Sequence, residues 1–99
     1  MKEFLEQLNK VFDSRVRLGI MSLLVINEKI DYNTLKETLS VTDGNLASHL
    51  ASLEKAEYIL VSKSFVGRKT QTTYQCTEKG KQAFAEHLNA LEMIIKGMI

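Results

Sequence analysis

The sequence contains little cysteine, no proline and no long apolar run, and these absences narrow the classes of protein that it can encode. A single cysteine among 99 residues cannot form an internal disulfide framework, which favours the reducing cytoplasm. No apolar run approaches the roughly 18 residues that a membrane span requires, so no membrane partner is predicted. The opening stretch MKEFLEQLNKVF mixes acidic with apolar residues, unlike a secretory signal.

The sequence also lacks any set of residues typical of an active site or a metal centre. His49 and His87 stand far apart, without a cysteine or an HExxH-type partner. There is no glycine-rich phosphate loop and no acidic pair beside a nucleophile. At the end of a strand-like run, Cys76 is more typical of a small buried hydrophobic residue than of a redox sensor. We therefore predict no enzymatic activity, no metal and no cofactor, and we expect His87 at the surface.

Charge is nearly balanced over the whole chain but uneven along it. The formal net charge is only +1, which by itself argues against a nucleic-acid partner. The stretch from Val61 to Gln82 holds five basic residues against one acid, a local charge of +4. A basic edge of this kind suits phosphate contact, although exposed loops are often charged without such a role. The basic residues are Lys63, Arg68, Lys69, Lys79 and Lys81, and the acid is Glu78.

Two helical patterns separated by a short polar joint occupy residues 34–58. The joint, residues 40–42, is short enough to require a tight turn, and Thr42 is placed to cap the second helix. Two short helices joined in this way form a helix-turn-helix. The apolar positions at helical spacing are Leu35 and Leu39 in the first helix and Leu46, Leu50 and Leu53 in the second.

The outward face of the second helix carries Asn45, Ser48, Ser52 and Lys55. A face chosen only for solubility more often carries glutamate and lysine. Small polar side chains allow a helix to approach base edges and phosphates in a major groove. The alternative is a solvated face that is rich in serine.

A hairpin follows the two helices. Residues 59–65 and 70–76 are rich in branched, aromatic and threonine side chains and are predicted to be strands. Residues 66–69 contain a glycine and form the turn between them. The order helix, helix, hairpin predicts a winged helix-turn-helix, a mainly α fold with a small β-hairpin (α+β), over residues 14–76 of one domain, 1–99.

Three segments follow one another along the chain: TDGNLASHLASLEKAEYI, GRKTQTTY and TEKGKQAF. Together they resemble the motifs of ArsR/MarR-type winged helix-turn-helix transcriptional regulators, in particular the short single-domain bacterial type. The resemblance extends from Asp13 to Leu88. Two departures matter. Glu57 stands where such proteins commonly place a glycine, so the second helix is expected to end differently. The paired cysteines of metal-sensing relatives are absent, which leaves metal sensing without support.

The residues before the helix-turn-helix predict two further helices. Residues 1–12 have the spacing of an amphipathic helix, and residues 14–26 of a first core helix capped by Asp13 or Ser14. Arg15 and Arg17 lie in its first turn, where cations are unfavourable without a partner. We expect them to pair with acids, the alternative being contact with the DNA backbone. Residues 27–31 are a predicted loop, and residues 30–32 are predicted to add a short strand to the sheet.

A last helix is predicted over residues 77–99, with Thr77 as its cap. Its apolar stripe is longer than a small domain needs to cover itself, and such stripes usually have a partner. Both terminal helices are therefore predicted to form a homodimer. The alternative is that they pack on each other within one chain. The residues assigned to the dimer interface are Phe4, Leu8, Phe84, Leu88, Leu91, Ile95 and Met98.

These features predict a sequence-specific regulator that binds double-stranded DNA as a dimeric repressor. Residues 43–56 would enter the major groove and residues 63–72 would contact the adjacent backbone or minor groove; His49 is expected to face DNA or to be partly buried. The alternative is a winged helix that serves as a protein–protein adaptor. The sequence identifies no small-molecule effector. The predicted DNA-binding residues are Thr42, Gly44, Asn45, Ser48, His49, Ser52, Lys55, Lys63, Arg68 and Lys69.

Overall fold

The computed structural model describes residues 1–97. Within them the fold is mainly helical with a small antiparallel sheet, as the sequence predicts. No helix in this part of the chain combines the length and the apolarity needed to cross a membrane. The elements in chain order are α1 (Lys2–Gln7), a 3-10 turn (Lys10–Phe12), α2 (Arg15–Ile26), β1 (Ile30–Asp31), α3 (Tyr32–Leu39), α4 (Asp43–Lys55), β2 (Ile59–Val66), β3 (Lys69–Cys76) and α5 (Glu78–Ile95).

Side-chain caps fix where the helices begin. Ser14 accepts a hydrogen bond from the amide of Arg17 at 3.3 Å and caps α2. Thr42 caps α4 by accepting from Asn45 at 3.2 Å, and Thr77 caps α5 by accepting from Gly80 at 2.9 Å. Each hydroxyl satisfies an amide that has no partner within its helix. The predicted caps of α4 and α5 are confirmed, and Ser14 rather than Asp13 caps α2.

The sheet has the order β1-β3-β2. Ile30 of β1 pairs with Tyr74 of β3, and the predicted short strand is confirmed except that Tyr32 already belongs to α3. In the hairpin Val66 pairs with Lys69, which leaves a two-residue turn. Gly67, the first residue of that turn, has φ of 66°, a conformation that glycine adopts without steric cost. The hairpin projects from the body of the protein, since residues 60–71 are all exposed.

One hydrophobic core lies under α2, α3, α4 and the base of the sheet. The leucines predicted to face inward in α3 and α4 are buried, except that Leu39 is half-buried at the edge. Phe12 reaches this core from the 3-10 turn and packs edge-on against Phe84, with ring centroids 5.2 Å apart. The buried apolar residues are Phe12, Ile20, Met21, Leu24, Ile30, Leu35, Leu46, Leu50, Leu53, Ile59, Tyr74, Phe84 and Ala90.

The expectation that α4 ends differently for want of a glycine is wrong. Glu57 adopts the left-handed conformation itself, with φ of 64°. Its amide donates to the carbonyl of Glu54 at 2.9 Å, and the amide of Tyr58 donates to that of Leu53 at 3.0 Å. This is the Schellman arrangement, in which two carbonyls of the last turn gain partners. The hydrogen bonds offset the roughly 1 kcal/mol that a left-handed residue other than glycine costs.

The start of α5 lies close against this helix end. The carbonyl of Tyr58 accepts a hydrogen bond from the amide of Thr77 at 3.0 Å. A Cβ atom added to Gly80 would stand 2.2 Å from the same carbonyl oxygen. The absence of a side chain at Gly80 therefore allows α5 to cross the end of α4.

Residues 1–12 do not form one helix, which corrects the prediction. α1 ends at Gln7, and the side chain of Asn9 accepts from the amide of Val11 at 2.9 Å. A local bond of this kind competes with a helical backbone, and it turns the chain so that Phe12 enters the core. α1 packs against α5 of the same chain, as in the alternative that the sequence left open.

The buried face of α5 differs from the apolar stripe that the sequence predicts. Phe84, His87 and Ala90 face the interior, so Phe84 is not available to a second chain and its assignment to a dimer interface is wrong. The expectation that His87 is a surface residue is also wrong, since it is only 4% exposed. Leu88 and Ile95 remain exposed, at 44% and 81%. Phe4, Leu8 and Leu91 are half-buried, and Met98 lies outside the described residues.

Candidate nucleic-acid interface

The structure brings the predicted reading residues of α4 together on one open face. Gly44, Asn45, Ser48, Ser52 and Lys55 are all exposed, and so is the cap residue Thr42. The hydroxyl of Ser52 donates to the carbonyl of Ser48 at 3.2 Å and keeps its acceptor capacity outward. A face of small polar side chains can approach another surface closely, and in this case it can form hydrogen bonds along three turns of the helix.

The first residue of α4, Asp43, is a carboxylate that interacts with two neighbouring side chains. Asp43 lies 3.1 Å from the ammonium of Lys36, and the hydroxyl of Tyr32 donates to it at 3.1 Å. The hydrogen bond from Lys36, followed by that from Tyr32, lowers the pKa of Asp43. Asp43 is therefore ionised, and the ammonium of Lys36 offsets its negative charge at the N-terminus of α4. The sequence reasoning missed Tyr32 and Lys36, because the pairing depends on how α3 crosses α4.

His49 is half-buried and is held by a residue of another helix. The guanidinium of Arg17 lies 2.9 Å from Nδ1 of His49, and its Nε donates to the carbonyl of Val11. The expectation that Arg15 and Arg17 pair with acids is wrong, because no acid within residues 1–97 lies within ion-pair distance of either. Arg17 instead finds a carbonyl and an imidazole, and Arg15 is exposed.

The hairpin presents cations at and near its tip. Lys63, Arg68 and Lys69 are exposed, and none of them forms an ion pair with another residue in the part of the chain that the structure describes. Lys63 and Lys69 lie on opposite faces of the hairpin, as the alternation of side chains along paired strands requires. The tip is therefore basic on both faces.

The other two cations of the basic stretch do not belong to the hairpin. Lys79 and Lys81 lie in the first turn of α5. Lys81 is 3.5 Å from Glu78, and Lys79 is 3.9 Å from Glu57. The local charge that the sequence suggests is thus divided between the hairpin and a partly neutralised helix start.

Behind α4, a polar junction joins the N-terminal segment to α5. The amide of Asn9 donates to Nδ1 of His87 at 3.0 Å, and its side-chain amide donates to the hydroxyl of Tyr58 at 2.8 Å. Burial lowers the pKa of His87, with a smaller opposing effect of Asp13. A neutral imidazole is required here, because a protonated Nδ1 could not accept the amide of Asn9.

This junction makes stability depend on pH. The pKa of His87 in the folded protein is lowered from its ordinary 6.5, so the unfolded chain binds the proton more readily. The contribution of neutral His87 to the free energy of unfolding is therefore complete above about pH 6.5. It is lost as the pH falls below that value, by at most about 1.4 kcal/mol per pH unit. Urea unfolding from pH 7.5 to 5 should show this decline, and the same series on His87→Asn should show less of it. Parallel curves for the two proteins would contradict the assignment.

The remaining candidate sites do not gain a chemical role from the structure. Burial raises the pKa of the Cys76 thiol, which disfavours the reactive thiolate. Cys76 packs against the core but is only half-buried, so the prediction of a small buried hydrophobic residue holds in part. No group of three or more histidine, cysteine or acidic side chains within residues 1–97 is placed to hold a metal ion.

A helix-turn-helix with an open polar second helix, followed by a projecting basic hairpin, defines the winged-helix class of DNA-binding proteins. Comparison with known families agrees with this, since residues 16–95 match the family described as Winged helix DNA-binding domain. The chain therefore belongs to the winged-helix DNA-binding domain family. The predicted fold and DNA-binding class are confirmed, and the family supports the prediction that the protein is not an enzyme.

Related proteins cover nearly the whole chain. An uncharacterized protein of Methanocaldococcus jannaschii is 36% identical over 89 residues, which are 90% of this chain and 97% of that protein. The structure of a transcriptional regulator homologue from Pyrococcus horikoshii OT3 superposes with a TM-score of 0.86 at 29% identity, covering 98% of this chain and 94% of that one. The YusO protein of Bacillus subtilis, at 14% identity and a TM-score of 0.78 over 99% and 72% of the two chains, shares the fold.

Proposed function

We propose that this DNA-binding regulator recognises a specific double-stranded sequence as a homodimer and acts as a cytoplasmic repressor. The observation that supports it most is the pairing of two different surfaces. The outer face of α4 is neutral and hydrogen-bonding as far as Lys55, whereas the hairpin tip is basic and forms no ion pair within residues 1–97. Base edges are read by the first kind of surface and phosphates are held by the second.

In this proposal α4 lies in the major groove. Asn45, Ser48 and Ser52 contact base edges, and Lys55 at the far end of the helix contacts the backbone. Thr42 and Gly44 at the front allow close approach to a phosphate, since nothing lies within 4 Å of a Cβ added to Gly44. The rigid helix fixes these side chains in register with successive bases.

The hairpin acts as the wing. Arg68 stands in the two-residue turn, and Lys63 and Lys69 flank it on opposite faces. Cations on a narrow hairpin suit contact with the phosphates beside the major groove or with the adjacent minor groove. Such contacts add affinity that depends on salt and little on sequence.

The homodimer would form through the part of α5 that its own chain leaves uncovered. Leu88 and Ile95 are exposed, and Leu91 between them is half-buried. They recur at spacings of three and four residues, which places them on one strip of the helix. Phe4 lies in α1, which packs against α5, and Leu8 directly follows α1. A two-fold dimer would place two α4 helices about 34 Å apart on a palindromic site.

The roles of helix and wing can be separated by mutation. Asn45→Ala and Ser52→Ala should each weaken binding to the preferred duplex by about 1–3 kcal/mol and binding to random duplex much less. Arg68→Ala with Lys69→Ala should weaken binding to both duplexes alike and flatten the salt slope by roughly one unit per lost phosphate contact. Titrations at several salt concentrations, on a duplex selected from a random pool and on its scrambled form, measure both effects.

Two outcomes would contradict the proposal. Equal losses on both duplexes for the α4 variants would mean that this face does not read bases. Failure of the wild-type protein to bind any duplex at moderate salt would favour the other candidate, a protein–protein adaptor. The exposed Phe65 of the hairpin, at 78%, and Ile95 of α5, at 81%, are the observations that favour that candidate.

A further inference from the structure

The contact between Arg17 and His49 determines which ring nitrogen of the imidazole carries the proton. A guanidinium has only N–H donors, and it cannot lose its charge under ordinary conditions. At 2.9 Å from Arg17, the Nδ1 atom of His49 must therefore be the acceptor. An imidazole whose Nδ1 accepts is neutral and carries its single proton on Nε2.

The other side of the same ring is open. No hydrogen bond within residues 1–97 involves Nε2 of His49, and no buried side-chain nitrogen or oxygen in that range lacks a partner. The Nε2 atom is consequently in contact with solvent. His49 follows Asn45 by four residues and precedes Ser52 by three, so it lies beside the open polar face of α4.

Arg17 is fixed from a second direction. Its Nε donates to the carbonyl of Val11, which belongs to the 3-10 turn anchored in the core by Phe12. The side chain of Arg17 is thus held between the 3-10 turn and α4, and it pairs with no acid in the described residues. An arginine held in this way is well suited to orient a ring and less suited to reach DNA itself.

We infer that His49 donates one hydrogen bond from Nε2 to an acceptor on DNA, and that Arg17 is the positioning residue that holds the ring in this tautomer. The inference rests on the proposed function, because it assumes that α4 meets DNA. The acceptor is a purine N7 at a base edge or an oxygen of a flanking phosphate. Both accept from a neutral N–H, and a neutral donor adds geometric selection without adding charge.

The tautomer is tested on the free protein. The ¹⁵N chemical shifts of the His49 ring distinguish a protonated from an unprotonated nitrogen, and at pH 7.5 they should show the proton on Nε2. Arg17→Gln should shift the population toward the other tautomer, because glutamine offers an acceptor as well as a donor. Arg15→Gln removes the same charge two residues away on an exposed side chain and should leave the shifts unchanged. A proton on Nδ1 in the wild-type protein would overturn the inference whether or not DNA binds.

The donor is tested by two amide substitutions that keep different parts of the imidazole. Glutamine places its amide near the position of Nε2, and asparagine near that of Nδ1. If the outward donor matters, His49→Gln should keep most of the affinity, whereas His49→Asn should lose roughly tenfold, the effect of one hydrogen bond. The reverse order would mean that His49 serves only to hold Arg17, and it would overturn the inference.

The same variants identify the source of the acceptor. If His49→Asn loses affinity only for the selected duplex, and 7-deazapurine substitution in that duplex reproduces the loss, the acceptor is at a base edge. A loss shared by the scrambled duplex, and reproduced by a methylphosphonate linkage, assigns a phosphate. Either result supports the donor, and unchanged affinity in both variants overturns it. If the wild-type protein binds no duplex, the proposed function itself is refuted. That result is distinct from any difference between the wild-type protein and the His49 variants.

Discussion

Replacing Gly80 with alanine should lower the free energy of unfolding by about 3 kcal/mol, although alanine is the better helix former by about 1 kcal/mol. The new Cβ would stand 2.2 Å from the carbonyl oxygen of Tyr58. That oxygen belongs to backbone that accepts from Thr77 at 3.0 Å, so it cannot move without breaking the bond between the two helix ends. Chemical denaturation followed by circular dichroism measures the loss.

Gly44→Ala is the matched control, because Gly44 also lies in the first turn of a helix. No atom lies within 4 Å of a Cβ added there, and alanine should therefore stabilise the fold by up to about 1 kcal/mol. The two substitutions are chemically identical and are expected to have opposite signs. Equal effects would show that α5 does not cross the end of α4 as closely as the geometry requires.

Exchanging Leu88 and Ile95 together for glutamate should convert the proposed dimer to monomers. Both side chains are exposed in the single chain, so the exchange should leave the fold of each chain intact. Carboxylates without partners are strongly disfavoured in an apolar interface. Loss of the second half-site contact should then lower affinity for a palindromic duplex by about 10²–10⁴-fold. Sedimentation velocity and duplex titration measure the two effects.

Ile26→Glu serves as the control for this pair. Ile26 is 77% exposed against 81% for Ile95, and it lies at the end of α2 instead of on the strip of α5. It should change neither assembly nor affinity on the palindromic duplex. A monomeric wild-type protein, or a double variant that remains dimeric, would remove the α5 strip as the interface.

Local signals were sufficient to predict most of the fold. The hydroxyl caps Thr42 and Thr77 and the glycine of the hairpin turn act within a few residues of themselves, so the sequence alone locates them. The open face of α4 was predictable for the same reason, since burying Leu46, Leu50 and Leu53 directs the polar side chains outward. The winged-helix architecture follows from the order of these elements.

The errors arose where contacts join distant parts of the chain. Arg17 has His49 and a carbonyl as partners instead of an acid, and His87 is buried because Asn9 reaches it from the other end of the sequence. In α5 two apolar stripes overlap at Phe84. One continues through His87 to Ala90, and the other continues through Leu88 to Ile95. The periodicity of the sequence alone cannot show which of the two faces is buried within the chain. Asn9 and Phe12, which follow α1, contact His87 and Phe84 and so cover the first of these faces.

The separation of charge between the hairpin and α4 has a consequence for how a target site would be found on a long DNA molecule. The carboxylate of Asp43 at the start of α4 is offset by Lys36, and the polar outer face of the helix is neutral up to Lys55. Attraction to arbitrary sequence therefore resides mainly in the hairpin cations. In the proposed mode of binding, α4 can leave the groove while the hairpin keeps its phosphates. Such a protein is expected to slide between neighbouring positions at modest salt and to arrest where α4 finds its bases.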